Sequence, residues 1–292
     1  MIKFSVIIPA YNEEGAIKET IDGLKKFLAV NYQESDYEII IVNDGSIDRT
    51  KEIIENTSGI KLINHQYNKG YGASIKNGVK NSKYDWVLLF DADGQHNPSS
   101  ISEIIKESDD ADMVIGKRTG RYKEPLVRKP GKRILEFVAK YLVGQKIPDI
   151  NSGFRLIKKE YFNQFVHLFP NGFSISTTST MAFLNAGLNI KYVATVSNKR
   201  TGSKSTVRQA RDGSATLLLI FRIIMLFNPL KIFFPISFIT GSLTLIFLIW
   251  DIILFNISGT TIILFITTIL IFCFGLLADQ ISSIRRDNYG GK

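Results

Sequence analysis

Hydrophobic positions in the first two thirds of the chain fall into short strand-length runs, separated by stretches with helical period. Lys3 to Ile8 reads as a buried strand ended by Pro9. After the loop Ala10-Tyr11-Asn12-Glu13-Glu14, the apolar residues Ile17, Ile21, Leu24 and Leu28 recur at helical spacing. Tyr37 to Val42 is a second strand, Asn43-Asp44-Gly45-Ser46 a turn, and Asp48 a cap for a helix starting near Arg49. Ile60 to Ile63 (strand), Gly72 to Asn81 (helix), Trp86 to Phe90 (strand) and Asp112 to Ile115 (strand) continue the alternation. A helix over Gly131 to Val143, a short strand over Asn151 to Leu156, a helix over Phe173 to Ala186 and a strand over Ile190 to Val196 follow. Strands alternating with helices at this spacing predict an α/β domain with a mainly parallel sheet flanked by helices.

The pattern then changes. From Ile232 to Trp250 no residue is charged, Asp251 interrupts, and Ile252 to Phe255 resume the run, while Thr260 to Ala278 forms a second uncharged run. Nineteen helical residues span about 29 Å, close to the ~30 Å hydrocarbon core of a bilayer. The short Asn256-Ile257-Ser258-Gly259 connection suits a turn between them, so a transmembrane hairpin of about 232–255 and 260–278 is expected. Arg208, Arg211, Arg222 and Lys231 precede the first span and Arg285, Arg286 and Lys292 follow the second, whereas the connection carries no Lys or Arg. The positive-inside rule therefore puts both ends of the hairpin in the cytoplasm. No secretory leader is visible, because Met1-Ile2-Lys3 leads straight into a strand pattern. The expected organisation is a cytoplasmic domain over 1–212, an amphipathic interfacial helix over 213–229 and a hairpin with a short cytoplasmic tail over 230–292. Leu217 to Phe227 is apolar except for Arg222, which fits a helix lying in the interface, and an ordinary helix packed on the sheet fits it too.

Charge sharpens this picture. The net charge is +9, and its basic residues are clustered. Lys117 to Arg133 holds eight Lys or Arg against one acid, Glu124, and Lys199, Arg200, Lys204, Arg208 and Arg211 follow one another before Asp212. On a membrane-anchored chain such clusters point to anionic lipid or phosphate-bearing substrates rather than nucleic acid. The one cysteine, Cys273, lies in the second span, which excludes disulfides within the chain.

The candidate chemistry sits where strands end. Trp86 to Phe90 stops at Asp91-Ala92-Asp93-Gly94-Gln95-His96. Side chains two apart in an extended chain point the same way, so Asp91 and Asp93 can face one point beyond the strand. Two convergent ionised carboxylates suit a hard cation, Mg²⁺ or Mn²⁺, that in turn holds the phosphates of a nucleotide. A plain turn before Gly94 explains the same residues. Ligands of parallel sheets bind at the carboxyl ends of strands, and Pro9, Asp44 and Asp91 all fall at such ends. Gly70-Tyr71-Gly72 before a helix has the start of a dinucleotide fingerprint, but Ile75 breaks the spacing. His65, His96 and His167 lack metal-ligand spacing and read as hydrogen-bonding or surface residues, and Asp149 reads as a turn residue.

Three segments, Ser5-Val6-Ile7-Ile8-Pro9-Ala10-Tyr11-Asn12-Glu13-Glu14, Val42-Asn43-Asp44-Gly45-Ser46 and Asp91-Ala92-Asp93-Gly94-Gln95, together resemble the second family of inverting glycosyltransferases, with its GT-A fold. Ser152-Gly153-Phe154-Arg155-Leu156 and Arg200-Thr201-Gly202-Ser203-Lys204 narrow the likeness to the dolichol-phosphate mannosyltransferase and polyprenyl-phosphate glycosyltransferase group, some of whose members also end in two helices. The resemblance covers about residues 3–212. It implies an enzyme moving a sugar from a GDP- or UDP-linked donor to a polyprenyl (dolichyl or undecaprenyl) phosphate with inversion. Pro9, Tyr11, Glu13, Val42 and Asp44 then match positions that hold the donor nucleoside, and Asp91, Asp93 and Gln95 match the site of the metal and diphosphate, with Ala92 on the donor side. Arg118 and Arg133 resemble basic residues near the phosphates, and Arg133, Arg200 and Lys204 would meet the acceptor phosphate. Asp93, Arg118 and Arg200 are the residues on which the resemblance puts catalysis. The Arg200–Lys204 spacing is shorter than in the mannosyltransferases, and Ser174-Ile175-Ser176-Thr177-Thr178 stands where many relatives carry an acid.

A missing acid is tolerable for such an acceptor. A hydroxyl must lose a proton as it attacks, whereas a phosphate monoester, with its second pKa near about 6, is already mostly dianionic at neutral pH. It needs cations that align it, which guanidinium groups do bidentately. Two other readings stay open. A polysaccharide or glycolipid synthase with a hydroxyl acceptor is one, although the processive synthases need more spans and a Gln-x-x-Arg-Trp segment that neither Trp86 nor Trp250 supplies. A non-catalytic nucleotide-binding membrane adaptor is the other. Oligomeric state, a homo-oligomer included, is left open.

Overall fold

The protein is described here by a computed structural model covering residues 2–119, 147–149, 152–172, 174–196, 221, 224–225 and 228–290. It divides into two compact units, residues 1–216 and 217–292.

The first unit is built on β1 (Phe4–Ala10), α1 (Ile17–Asn31), β2 (Tyr37–Asn43), α2 (Thr50–Glu55), β3 (Lys61–Asn64), α3 (Tyr71–Lys80), β4 (Trp86–Leu89), α4 (Ser100–Lys106) and β5 (Met113–Thr119). These are followed by β6 (Arg155–Lys158), α5 (Lys159–Phe165), α6 (Ile175–Asn185) and β7 (Ile190–Val196). The strands form one seven-stranded sheet in the order β3-β2-β1-β4-β6-β5-β7. β1 pairs in parallel with β2 and β4, β2 with β3 and β5 with β7, while β6 alone runs antiparallel, between β4 and β5.

Every residue of β1 is buried, as expected of a central strand covered on both faces. Val6 and Ile8 join Ile39, Ile41, Leu88 and the α1 residues Ile17, Ile21, Leu24 and Leu28 in one apolar core. The opposite face carries Ile7 and Val42 against α3, where a Cβ on Gly78 would overlap the Ile7 side chain. Helices thus cover both faces of the sheet.

Pro9 does not end β1. The strand runs on to Ala10, with Pro9 opposite Val42 and Ala10 opposite Asn43. A proline is tolerated there because β4 pairs only as far as Ile7, so that side of Pro9 needs no amide donor. β6 begins at Arg155, later than the Asn151 expected from the sequence. Helices α4 and α5, seven residues each, are too short to display a helical period in the sequence. The expected helix over 131–143 lies outside the described residues, and so does most of the expected interfacial helix over 213–229.

The second unit is a helical hairpin of α7 (Leu230–Ile253) and α8 (Gly259–Gly290). Its apolar stretches, 24 residues with mean hydropathy 2.2 and 26 residues (Gly259–Ile284) with mean hydropathy 2.7, are long enough to cross a bilayer, and few of their residues are buried. Asp251, the charge that interrupts the first run, is buried at the turn. Its Oδ2 accepts from the Ser258 amide (2.8 Å), Ser258 Oγ (2.9 Å) and Thr261 Oγ1 (2.6 Å), closing the connection and satisfying donors at the start of α8.

Candidate active site

Because β1, β2 and β4 are parallel neighbours, their carboxyl ends lie side by side. The Phe90 amide donates to the Ile7 carbonyl (3.0 Å), carrying the ladder one residue past β4. Ala92 then turns inward, buried, with its carbonyl accepting from Thr20 Oγ1 of α1 (3.2 Å). Past the strand the chain turns at Ala92-Asp93, and Asp91 and Asp93 are both half-buried.

Each carboxylate is held by the protein. Tyr71 Oη donates to Asp91 Oδ1 (2.7 Å), and His96 Nε2 lies 3.1 Å from Oδ2. His96 is itself fixed, stacked on Phe154 at 4.9 Å and edge-on to Phe90 at 5.6 Å. Asp93 accepts the Gln95 amide at Oδ1 (3.1 Å) and Gln95 Nε2 at Oδ2 (2.9 Å). The turn expected at Gly94 therefore exists, with Asp93 and Gln95 hydrogen-bonded within it.

Gly153 closes the back of the site. A Cβ there would fall 2.6 Å from Asp91 Oδ2 and 3.0 Å from Tyr71 Oη, so only glycine lets the carboxylate lie where it does. Two residues on, Arg155 is completely buried. Its guanidinium donates to the carbonyls of Ser152 and Ser176 and to Ser179 Oγ (2.9 Å) and Thr180 Oγ1 (3.1 Å). Burial pulls its pKa down to about 10, which still leaves a cation at neutral pH. Two hydroxyls of α6, those of Ser179 and Thr180, are thus partners of a buried arginine. Burial first, and Asp91 second, raise the Tyr71 phenol well above its usual range, so it stays a proton donor to Asp91.

Asp44 lies at the end of β2, buried. Its Oδ1 accepts from His65 Nδ1 (2.7 Å) and the Lys69 amide (2.9 Å), and its Oδ2 from the Gly70 amide (2.8 Å). Asn77 Nδ2 donates to His65 Nε2 (2.9 Å), which leaves the His65 proton on Nδ1, facing Asp44. Asp44 therefore pins the loop that starts α3. That loop needs its glycines, since Gly70 has φ 103° and a Cβ on Gly70 or Gly72 would overlap the backbone of residues 170–172. This packing, and no dinucleotide fingerprint, accounts for Gly70-Tyr71-Gly72.

Among the other expected donor residues, Pro9 and Val42 face each other in the ladder as a buried floor. Tyr11 is half-exposed, and Asn12 (φ 53°) and Glu13 tie their loop to the next one. The Asn12 amide donates to Ser46 Oγ (3.1 Å), the Ile47 amide to Asn12 Oδ1 (3.0 Å) and the Glu13 amide to Thr50 Oγ1 (2.8 Å). Arg118 has its backbone in β5 opposite Thr195. Arg133, Arg200 and Lys204 lie outside the described residues.

The donor set at Asp91 and Asp93 fits a divalent cation of particular kind. Among the described residues there is no cluster of three or more His, Cys, Asp or Glu able to hold a metal alone. Two carboxylates with a neutral amide neighbour suit an ion such as Mg²⁺, which keeps waters and takes its remaining ligands from substrate phosphates.

The profile of glycosyl transferase family 2 matches residues 5–166, just over half of the chain. The chain belongs to this family. The profile of the GtrB C-terminal hairpin matches residues 228–284 of this family 2 glycosyl transferase. It is similar to a UDP-N-acetylglucosamine–dolichyl-phosphate N-acetylglucosaminyltransferase of Methanococcus voltae, 35% identical over 179 residues that cover 53% of this chain and 68% of the relative. The glycosyltransferase AglJ of Haloferax volcanii is 25% identical over 299 residues, 97% of this chain and 94% of that one. The chain shares its fold with glucosyl-3-phosphoglycerate synthase from Mycobacterium tuberculosis, solved with Mn²⁺, UDP and glucosyl-3-phosphoglycerate, at a TM-score of 0.61 and 17% identity, over 76% of this chain and 80% of that one. The family 2 glycosyl transferase thus has the GT-A architecture expected from its motifs.

Proposed function

We propose that this family 2 glycosyl transferase moves a sugar from a nucleotide donor, UDP-linked in the first instance, to the phosphate of a polyprenyl lipid, with inversion. The observation that carries the reading is the hairpin: the domain with the carboxylate site is continued by two exposed apolar helices matching a known C-terminal hairpin. An enzyme with a soluble acceptor has no need of such an anchor. The Methanococcus voltae relative, named for UDP-N-acetylglucosamine and dolichyl phosphate, supports both substrate classes, and the UDP in the fold relative supports the donor.

In this reading the lipid phosphate oxygen attacks the anomeric carbon as the bond from that carbon to the donor diphosphate breaks. A new sugar–phosphate bond forms on the opposite face, and the nucleoside diphosphate leaves with the electron pair. The acceptor arrives ionised, so no side chain has to take a proton from it. Asp91 and Asp93, with Gln95 holding Asp93, would hold the divalent cation, which would supply charge neutralisation for the leaving diphosphate. Arg118 assists there, while Arg133, Arg200 and Lys204 align the acceptor phosphate. Pro9, Val42 and Ala92 form the apolar floor of the donor site, Tyr11 and Glu13 border it, and Asp44 shapes it by fixing residues 69–70. The hairpin spans the membrane and keeps residues 1–229 on the cytoplasmic side.

The test incubates membranes carrying the protein with a panel of labelled nucleotide sugars and polyprenyl phosphates. Label is expected in an alkali- or acid-labile lipid phosphodiester for one donor. Label appearing only in a glycoside of a lipid hydroxyl would replace this reading with the glycolipid synthase.

A further inference from the structure

We propose that Tyr71 is a positioning residue of the transfer reaction, fixing the Asp91 carboxylate so that it and Asp93 accept one cation together. The inference rests on the reading of Asp91 as a cation ligand given above.

A carboxylate two residues past a strand end has two free side-chain torsions, and a cation site requires one setting of both. Two observations show how that setting is imposed. Tyr71 Oη binds Asp91 Oδ1 at 2.7 Å, taking the bond that an ionised carboxylate accepts most strongly from a neutral donor. On the other side, the absent side chain of Gly153 leaves a gap that Asp91 Oδ2 fills, since a Cβ there would be 2.6 Å away. The Asp91 carboxylate is therefore clamped between a donor and a hard wall, with His96 against the same Oδ2 at 3.1 Å.

Tyr71 can serve as a clamp only if its own backbone is fixed, and Asp44 does this. The Asp44 carboxylate accepts the Lys69 and Gly70 amides at 2.9 and 2.8 Å, immediately before Tyr71 opens α3. The packing of Gly70 and Gly72 against residues 170–172 holds the same turn from the other side, with the Ala73 amide donating to the Asn171 carbonyl at 3.1 Å. The chain of contacts runs from the end of β2, through the start of α3, to the carboxylate beyond β4. Neither Tyr71 nor Gly153 has to touch the substrate for this.

The experiment uses the full-length protein in detergent and compares wild type with Tyr71→Phe and Gly153→Ala. Mn²⁺ uptake in the presence of UDP is followed by electron paramagnetic resonance, UDP binding in chelator by calorimetry, and melting in chelator by intrinsic fluorescence. Tyr71→Phe is expected to weaken Mn²⁺ binding about tenfold or more, as for a lost hydrogen bond to a charged group. UDP affinity in chelator and the melting temperature should match wild type, and raising Mn²⁺ should recover much of the lost turnover. Gly153→Ala, which displaces the same carboxylate from the opposite side, should weaken Mn²⁺ binding as well. A Tyr71→Phe titration that superimposes on wild type overturns the inference, and so does a parallel fall in metal-free UDP binding, which would make Tyr71 a structural residue only. Gly153→Ala with unchanged Mn²⁺ binding overturns the clamp. Wild-type protein that takes up no Mn²⁺ removes the cation assignment and the inference together. Weakened Mn²⁺ binding in the variants, in a protein that glycosylates no polyprenyl phosphate, upholds the inference and overturns only the acceptor reading.

Discussion

The guanidinium of Arg155 donates to the carbonyl oxygen of Ser176 at 3.0 Å, joining β6 to α6 in a region closed to solvent. Its charge is met by the Ser152 carbonyl just before β6 and by carbonyl and hydroxyl oxygens of α6, with the Asp149 and Asp91 carboxylates adding favourable fields. Replacing it by Leu strands the Ser152 carbonyl, which accepts from two of its nitrogens, at a cost of about 1–3 kcal/mol for a buried unpaired group. Lys fares little better, because a point charge cannot bridge Ser152 and Ser176 as the planar fork does. Both Arg155→Leu and Arg155→Lys are expected to lower the melting temperature clearly. An unchanged melting temperature for Arg155→Lys would show that charge alone suffices.

Metal dependence follows from Asp91 and Asp93. Turnover should vanish with a chelator and return with Mg²⁺ or Mn²⁺. Asp93→Ala should abolish transfer while the protein stays folded and membrane-bound, since Asp93 is half-buried and lies in a turn where it accepts from Gln95 two residues on. A fully active Asp93→Ala enzyme would falsify the assignment.

The hairpin has a directional consequence. Reporters fused after Lys292 and inserted into the Asn256–Gly259 connection should report opposite sides of the membrane, with the C-terminal one cytoplasmic. Reporters on one side would rule out a two-span hairpin.

The acceptor reading makes its own demand on Arg200. In neutral detergent with a soluble short-chain polyprenyl phosphate, Arg200→Ala should weaken transfer about ten- to a hundredfold, with donor KM little changed, as for a lost charge-assisted contact to phosphate. Wild-type kinetics toward that acceptor would make Arg200 a membrane-surface residue and move attention to Arg133.

The strand ladder, the two apolar spans and the paired aspartates were legible along the chain because each is a local pattern. Burial on both faces makes β1 and β2 largely apolar runs, and α7 and α8 stand out as uncharged runs long enough to cross a bilayer. Short elements left no such trace. The seven-residue helices α4 and α5 have too few turns, and β6, though apolar, says nothing about its antiparallel insertion between β4 and β5, which depends on a pairing made far away in sequence. The same division runs through the site. Sequence alone marked Asp91, Asp93 and Gln95, and it marked Asp44 as a residue at a strand end. Only the tertiary structure decided that Asp44 is spent on the Lys69 and Gly70 amides, that Tyr71 and His96 hold Asp91, and that the hydroxyls of α6 serve a buried Arg155. Those partners lie 5 to 26 residues apart along the chain, and no local period relates them: they meet because parallel strands bring their ends, and the loops that follow, to one edge of the sheet.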